Sequence, residues 1–289
     1  MILSASRRTD IPAHYADWFL NRLRAGYVLA RNPMNHAQVR EIALSPEKID
    51  CVVFWTKDPV PLLDYLSDID AMGYTYYFQF TLTPYSKTLE HHLRDKSEIA
   101  ETFIRLGKHI GRNRLVWRYD PIILNHDISI DYHIKHFMAY CEKLHPYTDE
   151  IVISFVDCYP KLRTNLIRAV TEEEILALGS RLSQIAGQFG LPVNACCESL
   201  DLLSTCGIGQ ASCIDKTRIE ALCGHSIAAA GDKNQRADCR CVQSVDIGAY
   251  NTCQNGCVYC YANYSESSVA ANCRRHDPQG EFLISYNPI

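Results

Sequence analysis

Short apolar runs alternate with longer amphipathic stretches over the first two thirds of the chain. The runs at 1–6 (MILSAS), 50–56, 74–82, 114–124, 150–157 and 191–197 read as strands, the middle four rich in β-branched and aromatic residues. Several are apolar almost throughout, the pattern of strands covered on both faces in a parallel sheet. Between them the spacing predicts helices over roughly 13–25, 59–71, 87–110, 128–144 and 172–189. The last is the clearest: Thr171 stands at its N-cap, Glu172, Glu173 and Glu174 fill the first turn, and Gly190 marks the exit. Strand alternating with helix means βαβ units and a parallel sheet, either barrel-like or doubly wound.

From about residue 198 this rhythm stops. Cysteine, glycine and polar residues take over, and 228–241 (AAAGDKNQRADCRC) reads as loop. The expected division is a βα body over 1–197 and a cysteine-rich, metal-binding region over 198–289. With little apolar sequence of its own, that region would be helped to hold together by bound metal.

Composition narrows the picture further. A chain of 289 residues, 47% hydrophobic and 21% charged, is an ordinary globular balance that can bury a full core. A net charge of −4 gives no general case for binding nucleic acid or a membrane surface. The opening MILSASRRTD has too short an apolar run for a signal peptide, and no stretch approaches the roughly 20 apolar residues of a membrane span. The expected location is the cytoplasm. There are 14 cysteines: Cys51, Cys141 and Cys158 are scattered, and the other eleven fall between Cys196 and Cys273. In a reducing compartment such clustering points to metal rather than disulfides.

The tightest group is AYNTCQNGCVYCYANYS, residues 249–265, where Cys253, Cys257 and Cys260 form Cys-x3-Cys-x2-Cys. Structural zinc takes four ligands, usually from paired knuckles. Three thiolates on a [4Fe–4S] cluster instead leave one iron open. Gly256 permits a tight turn, and Tyr259 and Tyr261 can shield a cluster and influence its potential.

This loop resembles the cluster loop of radical S-adenosylmethionine (SAM) enzymes, above all the spore photoproduct lyase-like branch with Tyr-Cys-Tyr. The resemblance implies SAM chelated to the open iron through its amino and carboxylate groups, and reductive cleavage to methionine and a 5′-deoxyadenosyl radical. In that superfamily the loop follows the first barrel strand; here it comes near the end of the chain. The segments SRRTDIPAHYADWFLNRL, VVFWTKDPVPLLDYL, YYFQFTLTPY and WRYDPIIL resemble what normally follows the loop. The implied fold is a circularly permuted, partial (βα) TIM-type barrel with a C-terminal cysteine-rich iron–sulfur cap, its cluster strand near 244–250. The permutation requires that strand to lie beside 1–6. The whole chain also resembles an uncharacterised bacterial family with a cysteine-rich C-terminus.

Residues at the carboxyl ends of barrel strands meet ligands. Ser6, Thr56, Lys57 and Arg118 are the candidates for the SAM carboxylate and ribose, and Asp10 for its amine. Each also has an ordinary structural use, as a turn, a cap or a solvated pair. Cys196, Cys213, Cys239 and Cys241 would make four ligands for a second [4Fe–4S] cluster or for zinc, with Cys206 or Cys223 able to replace a member. A reductant protein such as a flavodoxin or ferredoxin is the implied partner. Nucleic acid enters through the resemblance alone, since the chain has no basic stretch. Two rival classes stay open: an electron-transfer or sensing protein that binds no SAM, its site closed by a fourth ligand such as Cys273, and a zinc-stabilised binding module. His91 and His92 read as helix surface rather than metal ligands.

Overall fold

The computed structural model describes residues 1–158, 166–198, 200–236 and 238–285. Its strands are β1 (Ile2–Ala5), β2 (Tyr27–Asn32), β3 (Asn35–Ala43), β4 (Cys51–Thr56), β5 (Tyr76–Thr81), β6 (Leu115–Ile122), β7 (Ile151–Phe155), β8 (Val193–Ala195), β9 (Gly209–Gln210) and β10 (Val245–Asp246). The helices are α1 (Ile11–His14), α2 (Ala16–Ala25), α3 (Val60–Leu63), α4 (Leu66–Ala71), α5 (Lys96–Ile110), α6 (Ile130–Leu144), α7 (Glu172–Gln188), α8 (Leu200–Leu203), α9 (Lys216–Cys223) and α10 (Glu266–Cys273). Eight strands form one parallel sheet in the order β10-β1-β4-β5-β6-β7-β8-β9, and β2 and β3 form a separate antiparallel hairpin. No helix among the described residues is long and apolar enough to cross a membrane.

The six runs expected as strands are all present. The predicted cluster strand is β10, which pairs with β1 in parallel, Leu3 opposite Val245 and Ser4 opposite Asp246. Both edge strands, β9 and β10, therefore come from the chain beyond residue 198. Alternation along the central strands sorts their side chains. Phe54, Phe78, Trp117 and Ile153 join the large core shared with the helices. Val53, Tyr77, Val116 and Val152 face the other way, onto Ile214, Ile219, Ile227 and Val242. The C-terminal region thus fills the inner face of a curved, barrel-like sheet instead of sitting on it as a separate lobe. Its apolar residues are few, but the strands supply the rest of that second core.

Two expectations need correcting. The helix predicted over 87–110 begins only at Lys96. The preceding residues pair across the chain: Glu90 bridges Cys257, and the amides of His91 and His92 donate to Gly256 and Asn255 carbonyls at 3.3 and 3.2 Å. Long-range pairing overrides the local helical pattern there, and His91 and His92 lie on that paired segment, not on a helix. The β2–β3 hairpin was not foreseen, because β3 is exposed along most of its length and carries no apolar alternation.

The core also holds a titrating group. His133 on α6 is fully buried, and its Nε2–H donates to the Ile123 carbonyl at 2.9 Å. Nδ1 then accepts from the Tyr119 hydroxyl at 2.7 Å. Burial pushes this imidazole down from 6.5 to about 4, the Ile123 bond opposing and His136 adding. The unfolded chain therefore binds the proton first. Stability from this group is complete above pH 6.5 and is lost as pH falls through 4, about 3 kcal/mol in all. Denaturant titrations of wild type and His133→Gln between pH 7 and 4 should show a shallower pH slope in the variant; parallel slopes would refute the assignment.

Candidate metal centre

The loop after β10 is held from two sides. Toward α1, Asn255 Nδ2 donates to Asp10 Oδ2 (3.1 Å), His14 Nε2 lies 2.8 Å from Asn255 Oδ1, and the Tyr15 hydroxyl donates to the Thr252 carbonyl at 2.6 Å. Toward the 86–92 segment, the Val258 amide donates to the Leu89 carbonyl at 2.9 Å, beside the Glu90–Cys257 bridge. Gly256 sits at φ +66°, where a Cβ would also meet His91 Cβ at 3.1 Å, so both conformation and space call for glycine. Within the loop the Ala262 amide donates to Cys260 Sγ at 3.3 Å, an amide–sulfur bond of the kind that stabilises cluster thiolates.

Cys253, Cys257 and Cys260 are all partly buried and none forms a disulfide. Burial pushes the Cys257 thiol up to about 12, although the nearby Lys57 ammonium pulls it down, and burial also raises Cys253 well above the usual thiol range. Metal loading must displace these protons. Spacing bears on which metal. Four thiolates on one zinc, at about 2.3 Å, lie about 3.8 Å from one another. Among the described residues, the only three His, Cys, Asp or Glu ligand atoms within 4.8 Å of one another belong to the exposed His91, His92 and Glu266. At least one pair of the three loop sulfurs therefore stands more than 4.8 Å apart, beyond the spacing of thiolates on one zinc. Cys273, on α10, turns its thiol to the Tyr15 hydroxyl (3.4 Å) and the Thr252 carbonyl (3.6 Å). Tyr259 is buried and bonds Glu90, whereas Tyr261 is half exposed and donates to the Arg7 carbonyl.

The five polar candidates divide by what they touch. Asp10 caps α1 through the Ala13 amide (3.1 Å) and also accepts from the Lys57 amide (2.7 Å) and from Asn255. It joins β1, β4 and the cysteine loop, and its oxygens are occupied. The Ser6 hydroxyl donates to Asp246 Oδ1 (2.7 Å) and accepts from the Arg8 amide (2.9 Å). Thr56 Oγ1 accepts from the Asp58 amide at 3.1 Å. Lys57 lies beside Cys257 but is paired with Glu90 at 2.8 Å. Arg118 points elsewhere: it binds Asp120, Gln79 Oε1 at 3.2 Å and Cys213 Sγ at 2.9 Å. The structure brings Asp10 and Lys57 to the cysteine loop, and takes Arg118 to the second group of thiols.

Three buried donors near the carboxyl ends of β1 and β4 have no hydrogen-bond partner among the described residues: Arg7 Nη2, Thr9 Oγ1 and Trp55 Nε1. The Arg7 and Arg118 guanidinium carbons each lie 5.3 Å from the Trp55 ring centroid. Arg7 and Thr9 lie in the SRRTDIPAHYADWFLNRL segment and Trp55 in VVFWTKDPVPLLDYL, and sequence reading did not single out their side chains. It also missed Asp246, whose carboxylate binds the Ser4 and Ser6 hydroxyls and the amides of Arg7 and Gly248. Asp246 locks the end of β1 to the start of the cysteine loop. Its signal was present in SVDIG, an acid closing a strand beside a serine-rich one.

Of the second group, Cys196, Cys213, Cys239 and Cys241 converge on the inner face, joined by the unforeseen Cys197. Cys206 and Cys223 lie away from them, Cys206 against Ser180 and the Leu176 carbonyl, Cys223 against the Asp50 carbonyl.

A family profile described as a domain of unknown function, DUF1848, matches residues 2–262. No curated protein matches the chain. Among solved structures, a putative alpha-L-fucosidase from Bacteroides thetaiotaomicron VPI-5482 aligns at 12% identity over 63% of this chain and 76% of that one, with a TM-score of 0.28.

Proposed function

From the premise that the chain belongs to the DUF1848 family, a domain of unknown function, we propose that it is a radical SAM-type iron–sulfur enzyme on a circularly permuted, partial βα barrel. The observation that carries this reading is the cysteine loop: three thiols, spread too widely for one ion, at the carboxyl end of a strand paired in parallel with β1. That pairing is what a barrel with its cluster strand moved from front to back requires. When bound, the cluster and SAM supply the electron transfer and the bond cleavage that start radical chemistry.

The chain's own residues hold and shield the site. Cys253, Cys257 and Cys260 would ligate three irons. Asp10, Asn255 and Asp246 fix the loop against β1 and β4 through the bonds above. Tyr259 and the Glu90–Lys57 pair close its buried side. Arg7, Thr9 and Trp55 keep donors free for the carboxylate and ribose of SAM or for substrate, the place first given to Ser6, Thr56 and Arg118. Buried donors without a partner are costly, so a polar occupant here is physically apt.

The test is electron paramagnetic resonance on anaerobically purified, dithionite-reduced protein, with and without SAM, alongside iron, sulfide and zinc analysis. A reduced-cluster signal that shifts on SAM addition is expected. A signal indifferent to SAM would make the protein an electron carrier or sensor, and zinc without iron would make it a binding module.

A further inference from the structure

The thiols on the inner face close into a ring. Cys196 Sγ lies 3.8 Å from Cys197 Sγ and 2.9 Å from Cys213 Sγ. Cys241 neighbours Cys213 and Cys239, and Cys239 neighbours Cys197. Cys196, Cys213 and Cys241 are buried, and Cys197 and Cys239 sit together at the more open side. Cys197 reaches the ring because its backbone is left-handed, φ +57°. That conformation costs a non-glycine residue roughly 1–2 kcal/mol and lets two consecutive side chains serve one site.

We propose that this ring is a second metal centre: a [4Fe–4S] cluster held by Cys196, Cys213, Cys241 and one of Cys197 and Cys239, with no iron left open. One observation favours this over zinc. No three of the five sulfurs lie within 4.8 Å of one another, whereas zinc would draw four to about 3.8 Å. Loading would require the close Cys196–Cys213 pair to open.

The surroundings suit an anionic cluster. Arg118, 6% exposed, places Nη1 2.9 Å from Cys213 Sγ and is itself oriented by Asp120 and Gln79. The Ile214 amide donates to Cys241 Sγ at 3.3 Å. The Cys213 carbonyl is fixed by the Tyr77 hydroxyl at 2.7 Å and Gln79 Nε2 at 2.9 Å. Amide and guanidinium donors to cluster sulfurs are how a protein tunes potential and charge. This site is separate from the Cys253–Cys260 loop and does not depend on SAM binding there.

Iron, sulfide and zinc counts with paramagnetic resonance on two full-length variants test it. Wild type should hold about eight irons and no stoichiometric zinc, as two four-iron clusters require. Cys213→Ser should hold about half the wild-type iron, and its signal should still respond to SAM. Cys257→Ala should also hold about half, with a signal indifferent to SAM. If Cys213→Ser does not fold, Cys257→Ala decides alone: retained iron supports the site and an iron-free protein overturns it. One zinc per chain lost on Cys213→Ser, or undiminished iron in that variant, also overturns it. A wild-type signal indifferent to SAM, abolished by Cys213→Ser and kept by Cys257→Ala, would uphold this centre while refuting the radical reading.

Discussion

Cys257→Ala should abolish SAM cleavage and the SAM-induced change in the cluster signal, whereas Cys273→Ala should leave both close to wild type. The contrast rests on where the two thiols point. Cys257 lies in the middle of the loop, next to Gly256 and the Lys57 ammonium, with its backbone tied to Glu90. On the proposed reading the protein would grip the cluster through only three thiolates, and two should not hold it, so removing one should empty the site. Disturbing a residue that merely supports a metal ligand already costs about 10–100-fold; losing the ligand should take 5′-deoxyadenosine formation below detection. Cys273 faces Tyr15 and the Thr252 carbonyl, and the loop loses only a weak thiol contact without it. Product analysis after reduction with excess SAM reads the outcome. Equal loss in both variants would mean that Cys273 is also needed to hold the cluster or its loop.

What the sequence disclosed, it disclosed through local rules. The six strands of the sheet that precede residue 198 stood out because a strand covered on both faces is apolar along its length. The cap of α7 was equally plain: Thr171 and Glu174 form a reciprocal capping box in the structure. The cysteine loop was legible because its ligands lie within eight residues of one another. What escaped was long-range. Residues 87–95 read as helix, and only their pairing with the distant 255–258 segment makes them otherwise. Arg118 was expected at a strand's ligand-binding end, yet it lies inside β6 and its side chain turns onto Cys213, 95 positions away. Cys197 could not be chosen over Cys206 or Cys223 by spacing, since its membership depends on a backbone angle. The junction that Asp10 makes between three segments could not be read from its place after a strand.

Glu90→Gln should destabilise the protein by about 3 kcal/mol and remove the share of its stability loss between pH 4.5 and 2 that Glu90 contributes. Glu90 is 1% exposed and ion-pairs with both Lys57 and Lys96, while Thr83 and Tyr259 donate hydroxyls to it. Burial alone would raise its carboxyl above 4.5, but the charges of Lys57 and Lys96 and their hydrogen bonds together hold it at about 2. A carboxylate with a depressed folded value contributes fully above its unfolded value of about 4.5, and the contribution fades as pH falls toward 2. A difference of some 2.5 units corresponds to about 3 kcal/mol. Removing the carboxylate's charge strands two partly buried ammonium groups, for which losses of about 3–5 kcal/mol are usual. Gln keeps one acceptor oxygen, which places the expectation at the low end. Adding Lys57→Met to Glu90→Gln deletes one stranded cation and should recover part of the loss, a coupling that a double-mutant cycle measures. Because Glu90 also bridges the backbone of Cys257, the destabilised variant should release its loop-bound iron at lower denaturant than the iron of the inner ring. Unfolding curves followed together by fluorescence and by cluster absorbance would show it. A Glu90→Gln protein as stable as wild type at pH 7 would mean that the two lysines are solvated in place and the buried network carries no net stabilisation.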